Sequence, residues 1–148
     1  MTRLLSTSAC LLALMVAPAA PSFATALITA EEAALPAQKG AVPNSGRGIT
    51  RGPKIHVLEE GNGRPAPIHF QVKFQALGGS TIDLEGLKVT YMKSPNVDLT
   101  SRVRPFAQPT GIDMPDALLP PGEHLVRVDV RDSEGRISSS SFLLKIAP

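Results

Sequence analysis

Strict alternation of apolar and polar residues is the feature that most restricts how this chain can fold. In "IHFQVKFQA", every second residue from Ile68 to Ala76 is apolar, and the residues between them are His, Gln or Lys. A β-strand places successive side chains on opposite faces, so this pattern is typical of a strand with one buried face. We therefore predict a β-sheet that is buried on one side.

The same two-residue period returns in three later segments and in one earlier segment. The residues predicted to face inward are Leu87, Val89 and Tyr91, then Val126, Val128 and Val130, and finally Phe142, Leu144 and Ile146. In "PKIHVLEE", Ile55 and Val57 mark a first strand, and Pro53 stands at its start, where a missing backbone donor does least harm. Glycine and proline turns separate the strands, so residues 49–148 are predicted to form an all-β, antiparallel two-sheet sandwich.

The first residues have the pattern of a secretory signal peptide. Arg3 precedes the apolar run "LLALMVAPAA", and "SFA" at residues 22–24 offers a cleavage site, with "ATA" at residues 24–26 as a near alternative. A membrane-spanning helix needs about 20 apolar residues, and Pro18 and Pro21 interrupt this run earlier. We predict that residues 1–24 are removed on export to the periplasm or extracellular space, which leaves no stable membrane span.

Cysteine content and net charge exclude several classes of function. Cys10 is the only cysteine and lies in the predicted signal peptide, so the mature chain has no disulfide and no thiol nucleophile or ligand. The formal net charge is +2. Nucleic-acid binding needs a clustered basic face that neutralises several phosphates, so no nucleic-acid partner is expected.

Residues 25–48 differ in composition from the rest of the chain. The segment is rich in Ala, Gly and Pro and has no sustained period. Thr29 and Glu32 have capping-box spacing, which predicts a short helix that Pro36 ends. A helix of this length is marginal alone in water, so we predict a flexible tether that contains this short helix.

The last two strands have a recognisable turn chemistry. "PPGEH" at residues 120–124 ends a proline-rich crossing segment and begins a strand, and "DSEG" at residues 132–135 supplies the Asp and Gly of a tight turn. This hairpin resembles the closing hairpin of bacterial immunoglobulin-like domains, and "IDLEGLKVTY" resembles the middle of such domains. The resemblance covers residues 53–148 and implies an immunoglobulin-like sandwich. It says little about function, which must come from a site.

Histidines are the first candidate metal ligands. His56 and His69 lie on the polar sides of their strands and would be cross-strand neighbours if these strands pair. Two nitrogen ligands make a weak, unselective site. His124 is two residues before Val126 and therefore on the same face of its strand, so it is predicted at the rim of the core. A weaker similarity links the closing hairpin to periplasmic copper carriers of the CopC kind, but the ligand histidines of those carriers are absent here.

Acidic residues give a second metal hypothesis. Asp129, Asp132 and Glu134 are close in sequence, and calcium takes six to eight oxygen ligands, often from turns. The alternative is a solvated hairpin in which Asp132 caps its own turn. Catalytic motifs are missing, with no nucleophile elbow, no phosphate-binding glycine loop and no paired-histidine zinc motif. We therefore predict a protein that is not an enzyme and has no cofactor.

Partner-binding candidates come from exposed positions. Phe106 in "RPFAQP" is either an exposed aromatic or a cover for the open end of the sandwich. Alternation about Val103 would place Arg102 and Arg104 on one face, where they could meet an anionic partner.

The strand containing Lys54, His56 and Val57 is the candidate sheet edge, and edges can accept an added strand from another chain. The sequence thus favours an exported, non-catalytic binding or structural module of the bacterial envelope whose partner is another envelope protein. The alternative is a small periplasmic carrier of copper or calcium.

Overall fold

The structure, a computed structural model, describes residues 24–44, 51–58 and 63–148. The nine strands assigned there are β1 (Thr25–Ala26), β2 (Lys54–Val57), β3 (Ile68–Gln75), β4 (Ile82–Tyr91), β5 (Val97–Asp98), β6 (Ala107–Gln108), β7 (Gly111–Leu118), β8 (Gly122–Asp132) and β9 (Ile137–Ile146). Short helices cover Ala30–Ala33 (α1) and Thr100–Val103 (α2), and a 3-10 turn covers Arg104–Phe106. Residues 1–23 of the predicted signal peptide and the boundary near residue 48 fall outside the described ranges.

The strands form the predicted two-sheet all-β sandwich. One sheet has the order β1-β7-β3-β2, and β6 also pairs with β7. The other has the order β5-β4-β8-β9. All strand pairs are antiparallel except β1 with β7, which is parallel. None of the helices in the described part of the chain has the length and apolar character needed to cross a bilayer.

The core lies between the two sheets and is built from the alternating residues. All the inward-facing residues predicted for the four long segments from Ile68 onward are buried, apart from the half-buried Ala76 at the end of the first. Phe70 and Phe142 stack across the sheets with ring centroids 6.0 Å apart. Ile55 and Val57 are half-buried and pack against this core. The alternation therefore identified the strands correctly because the period-two pattern matches a sheet with one covered face.

Strand β7 was not predicted. Its sequence, "GIDMPDAL", contains Pro115 and lacks regular alternation, and we expected a crossing segment there. Ile112, Met114 and Ala117 nevertheless enter the core. Gly111 begins the strand with φ +152°, and a Cβ at this position would lie 2.1 Å from the carbonyl oxygen of Val72. Glycine is therefore required where β7 approaches β3 so closely.

The prediction of a flexible tether is corrected for residues 25–44, which we call the N-terminal strap. Its short helix is confirmed: Thr29 Oγ1 accepts from the Glu32 backbone N–H at 3.3 Å, and Glu32 Oε2 accepts from the Thr29 N–H at 3.0 Å. Leu27 and Ile28, however, are buried in the core. The Leu27 N–H donates to the carbonyl of Leu118 at 2.9 Å. Apolar burial thus docks a segment whose composition alone indicated little capacity to pack.

Candidate functional site

The outer margin of β2 is the open edge of the five-stranded sheet. β2 pairs with β3 in a register that places Lys54 opposite Gln75 and Val57 opposite Val72. Among the described residues, no strand pairs with its other side. The prediction that this segment is an edge strand is therefore confirmed. An edge strand carries backbone donors and acceptors that can receive another strand.

The direction of each backbone group along β2 follows from one hydrogen bond. The Leu58 N–H donates to the carbonyl of Gln71 at 3.0 Å. In an antiparallel pair, residues that bond to the partner alternate with residues that do not. His56 therefore also directs its backbone groups towards β3, whereas Ile55 and Val57 direct theirs away from the sheet. The open margin thus offers two N–H groups and two C=O groups, spaced two residues apart.

Side chains divide the margin into an apolar side and a polar side. Ile55 and Val57 face inward and are half-buried, so each keeps apolar surface that a neighbouring strand would cover. Lys54 and His56 point to the outer face of the sheet and are exposed. Leu58, just beyond the strand, is also exposed, at 45%.

In the described residues, exposed cations lie before β2 and on the polar side of its margin. Arg51 precedes β2 and is exposed, Lys54 begins the strand, and Lys73 of β3 lies directly opposite His56. None of the ion pairs formed within the described residues involves these three cations. Beside them, the outer face of β2, β3 and β7 forms an open cleft of ≈ 470 Å³ whose lining includes Lys73, Gln75 and the carboxylate of Asp113.

Two other sheet margins, those of β7 and β9, differ because short segments cover them over part of their length. β6 and β1 pair with successive parts of the outer margin of β7. Along β9, Asn44 of the strap exchanges two backbone hydrogen bonds with Ser141, at 2.8 and 2.9 Å. Farther along β9, the Gly63 N–H donates to the carbonyl of Lys145 at 2.9 Å. In the described ranges, the outward groups of β2 meet no such pairing segment.

The predicted pairing of His56 with His69 is wrong. In the observed register His56 lies opposite Lys73, four residues along β3 from His69. His69 Nε2 instead lies 2.5 Å from Asp113 Oδ1 of β7, and both side chains are about half exposed. The two histidines are therefore too far apart along the strand to be cross-strand neighbours.

The three acidic candidates are engaged separately in the hairpin between β8 and β9. Asp129 accepts hydrogen bonds from Arg127 and Ser139. Glu134 is exposed and forms an ion pair with Arg136 at 2.7 Å. Within the described residues, no three His, Cys, Asp or Glu side chains are grouped so that they could hold a metal ion.

Asp132 caps its own turn, as the turn hypothesis predicted. It is buried, and its Oδ1 accepts from the backbone N–H groups of Glu134 at 3.0 Å and Arg136 at 2.9 Å. The Arg136 Nε donates to Oδ2 at 2.7 Å. Burial opposes ionisation, but the hydrogen bonds from the Arg136 backbone and guanidinium and from the Glu134 backbone lower the pKa of Asp132 overall. This carboxylate therefore holds the hairpin together.

The predicted basic edge at Arg102 and Arg104 is corrected. These residues lie in α2 and the following 3-10 turn rather than on one face of a strand. Arg102 donates to both carboxylate oxygens of Glu32, at 2.7 and 2.6 Å, and to the carbonyl of Leu27 at 2.9 Å. Its guanidinium is therefore neutralised by the strap. Arg104 is exposed, and Phe106 is half-buried against the core, as expected of a cover for the open end.

The ion pair changes the titration of Glu32. The Arg102 hydrogen bonds lower the pKa of Glu32 to about 2; burial opposes this change and the Thr29 backbone N–H reinforces it.

A second cation, Lys93, donates from Nζ to the carbonyls of Ala33 and Leu35, each at 2.9 Å. The contacts of Arg102 and Lys93 with the strap were not predicted, because each joins residues at least 58 positions apart in the sequence.

His124 forms a buried polar link that the sequence did not predict. Its Nε2 is 2.8 Å from the carbonyl oxygen of Pro120, which can only accept, so Nε2 carries the proton. Nδ1 then accepts from the Tyr91 hydroxyl at 2.9 Å. Burial lowers the pKa of His124, and burial followed by the charge of Glu32 raises the pKa of Tyr91 to about 12. Both groups are therefore neutral and tie β8 to β4.

Comparisons of the chain with known protein families, curated proteins and solved structures found no match.

Proposed function

We propose that this chain is an exported, non-catalytic module of the bacterial envelope that binds a protein partner by strand addition at β2. The observation that carries the proposal is the open margin of β2, where Ile55 and Val57 direct their backbone groups outward. An added strand gains main-chain hydrogen bonds there and covers the two half-buried side chains. Recognition of this kind needs no catalytic group and no cofactor.

We further propose an immunoglobulin-like topology for the sandwich. β2, β3 and β7 are neighbours in one sheet, and β4, β8 and β9 are neighbours in the other. This order corresponds to strands A, B and E and strands C, F and G of the immunoglobulin fold. The correspondence gives β2 the place of strand A, at one end of its sheet.

The test of strand addition compares two substitutions at one position. Val57→Pro removes an outward N–H and inserts a ring at the margin, whereas Val57→Ala keeps the backbone donor. Each immobilised protein is used to capture partners from an envelope extract. We expect the bound partner to be retained by wild type and Val57→Ala and reduced about fivefold or more by Val57→Pro, because a backbone hydrogen bond is lost and the edge is blocked.

Circular dichroism and thermal melting establish that both variants are folded. Equal capture by the two folded variants would contradict strand addition at β2. Uptake of copper with a rise in melting temperature would instead favour a metal carrier, since a ligand that binds only the native state stabilises it.

Export is tested separately by the intact mass of the protein recovered outside the cytoplasm. We expect a chain that begins at Thr25 or Leu27. A start at Thr25 keeps β1, whose residues pair with Ala117 and Leu118. Recovery of a chain that still contains Cys10 would contradict the proposed export.

A further inference from the structure

The geometry of β2 determines which side chains of an added strand would face each way. Residues directly opposite each other in an antiparallel pair lie on the same face of the sheet. Partner residues opposite Ile55 and Val57 would therefore point inward, towards the half-buried apolar side of the margin. Partner residues opposite Lys54 and His56 would point to the outer face. An incoming strand is thus divided into inward apolar and outward polar positions.

The charges near β2 indicate which side chains suit the outward positions of the added strand. Residues at these positions would lie beside Lys54 and within reach of Lys73, which is opposite His56 on β3. Arg51 adds a third cation at the end where β2 begins. None of these cations has an ion-pair partner among the described residues. Opposite charges on facing strands are favourable and like charges are not, so the margin favours carboxylates at these positions.

A second copy of this chain matches the margin less well. In a two-fold antiparallel pairing that joins the outward groups of Ile55 to those of Val57, His56 meets its own copy and Lys54 meets Leu58. The described part of the margin contributes no carboxylate to either pair. Among the described residues, self-pairing therefore gives Lys54 no carboxylate partner, whereas an acidic strand supplies one.

We infer that the β2 margin recognises an extended segment in which apolar and acidic residues alternate, the apolar residues opposite Ile55 and Val57 and the acidic residues opposite Lys54 and His56. The inference rests on the proposed strand addition and adds the chemical class of the partner.

The experiment uses two synthetic nine-residue peptides with blocked ends. One alternates valine and glutamate, and the other has lysine in place of every glutamate. Binding to the whole folded protein is measured by fluorescence anisotropy of labelled peptide at low salt and in about 1 M NaCl, where charges are screened within about 3 Å. We expect the glutamate peptide to bind about fivefold or more tightly than the lysine peptide, and we expect salt to remove most of the difference.

Substitutions in the protein test whether Lys54 and Lys73 cause the preference for the glutamate peptide. The double substitution Lys54→Gln and Lys73→Gln is expected to remove most of the preference for glutamate. Lys88→Gln is the matched control, because Lys88 is an exposed lysine on the outer face of the other sheet and its loss is expected to change nothing.

The outcomes separate this inference from the proposed function. If both peptides bind equally and Val57→Pro weakens both, strand addition holds and the acidic specificity is overturned. If neither peptide binds, or if Val57→Pro leaves binding unchanged, the proposed function itself is contradicted. A concentration-dependent dimer that Val57→Pro abolishes would assign the margin to a second copy and also overturn the inference.

Discussion

The strap and β2 both lie along sheet margins, yet one is covered and held and the other is open. The strap adds β1 beside β7 and bonds to β9 through Asn44. It is held by Leu27 in the core and by two cationic side chains from the sandwich, Arg102 and Lys93. β2 presents cations as well, but in the described residues these have no carboxylate partner.

The difference shows how the same kind of side chain serves two purposes. A cation that meets a carboxylate or a carbonyl within the chain fixes a segment in place, as Arg102 does with Glu32. A cation left at an open edge discourages uncontrolled pairing, and in the proposed function it would select a partner of opposite charge. Four predictions test this contrast between the strap and the open margin.

The largest expected effect comes from truncating one leucine in each region. Leu27→Ala removes a fully buried side chain and should lower the free energy of unfolding by about 2–5 kcal/mol, through lost burial and the cavity that remains. Leu58→Ala, at a half-exposed residue beside the open margin, should cost less than about 0.5 kcal/mol. Urea unfolding measures both. Equal costs would mean that the strap does not contribute to the core.

The second prediction removes the charged anchor of the strap. Arg102→Met keeps the length of the side chain but leaves the Glu32 carboxylate and the Leu27 carbonyl without their donor. We expect a loss of about 1–3 kcal/mol by urea unfolding. The control is Arg104→Met, two residues away and exposed, which should change stability by less than about 0.5 kcal/mol. A similar loss in both variants would contradict the anchoring role.

The third prediction concerns the pH dependence of that anchor. The pKa of Glu32 is lowered from 4.5 to about 2, so the folded state binds this proton more weakly than the unfolded state. Stabilisation by the pair is therefore complete above about pH 4.5 and is lost as the pH falls towards 2.

We expect the stability difference between wild type and Arg102→Met to be constant from pH 5 to 7 and to shrink below about pH 4.5. Urea unfolding at a series of pH values gives the difference. Other titrating groups, such as His124, are present in both proteins, so their contributions to the stability difference cancel. A difference that stays constant to pH 3 would show that the Glu32 charge is not involved.

The smallest expected effect compares proline at a covered edge and at an open edge. Ser141→Pro removes an N–H that donates to the carbonyl of Asn44 at 2.9 Å. Val57→Pro removes an N–H that faces away from β3. We expect Ser141→Pro to cost about 1 kcal/mol more than Val57→Pro in thermal or urea unfolding, because only the first breaks a bond within the chain. A larger loss for Val57→Pro would mean that the margin of β2 is already paired.

Much of the fold could be predicted because it depends on local patterns. The two-residue alternation identified five strands and their buried faces, and the capping box at Thr29 and the turn cap at Asp132 both formed as predicted. Each of these features joins residues no more than a few positions apart. The irregular strand β7 was not predicted, because its position depends on pairing with β3 and on the close approach of Gly111 to the backbone of Val72.

The candidate site divides in the same way. The sequence by itself predicted that β2 is an edge strand, since Pro53 and the charges in this segment are unsuited to a central strand. Tertiary structure alone decided that His69 bonds to Asp113 instead of lying beside His56, and that Arg102 faces the strap instead of a partner. These contacts join residues 44 and 70 positions apart, and their pairing is fixed by sheet register and core packing rather than by any local preference of the chain.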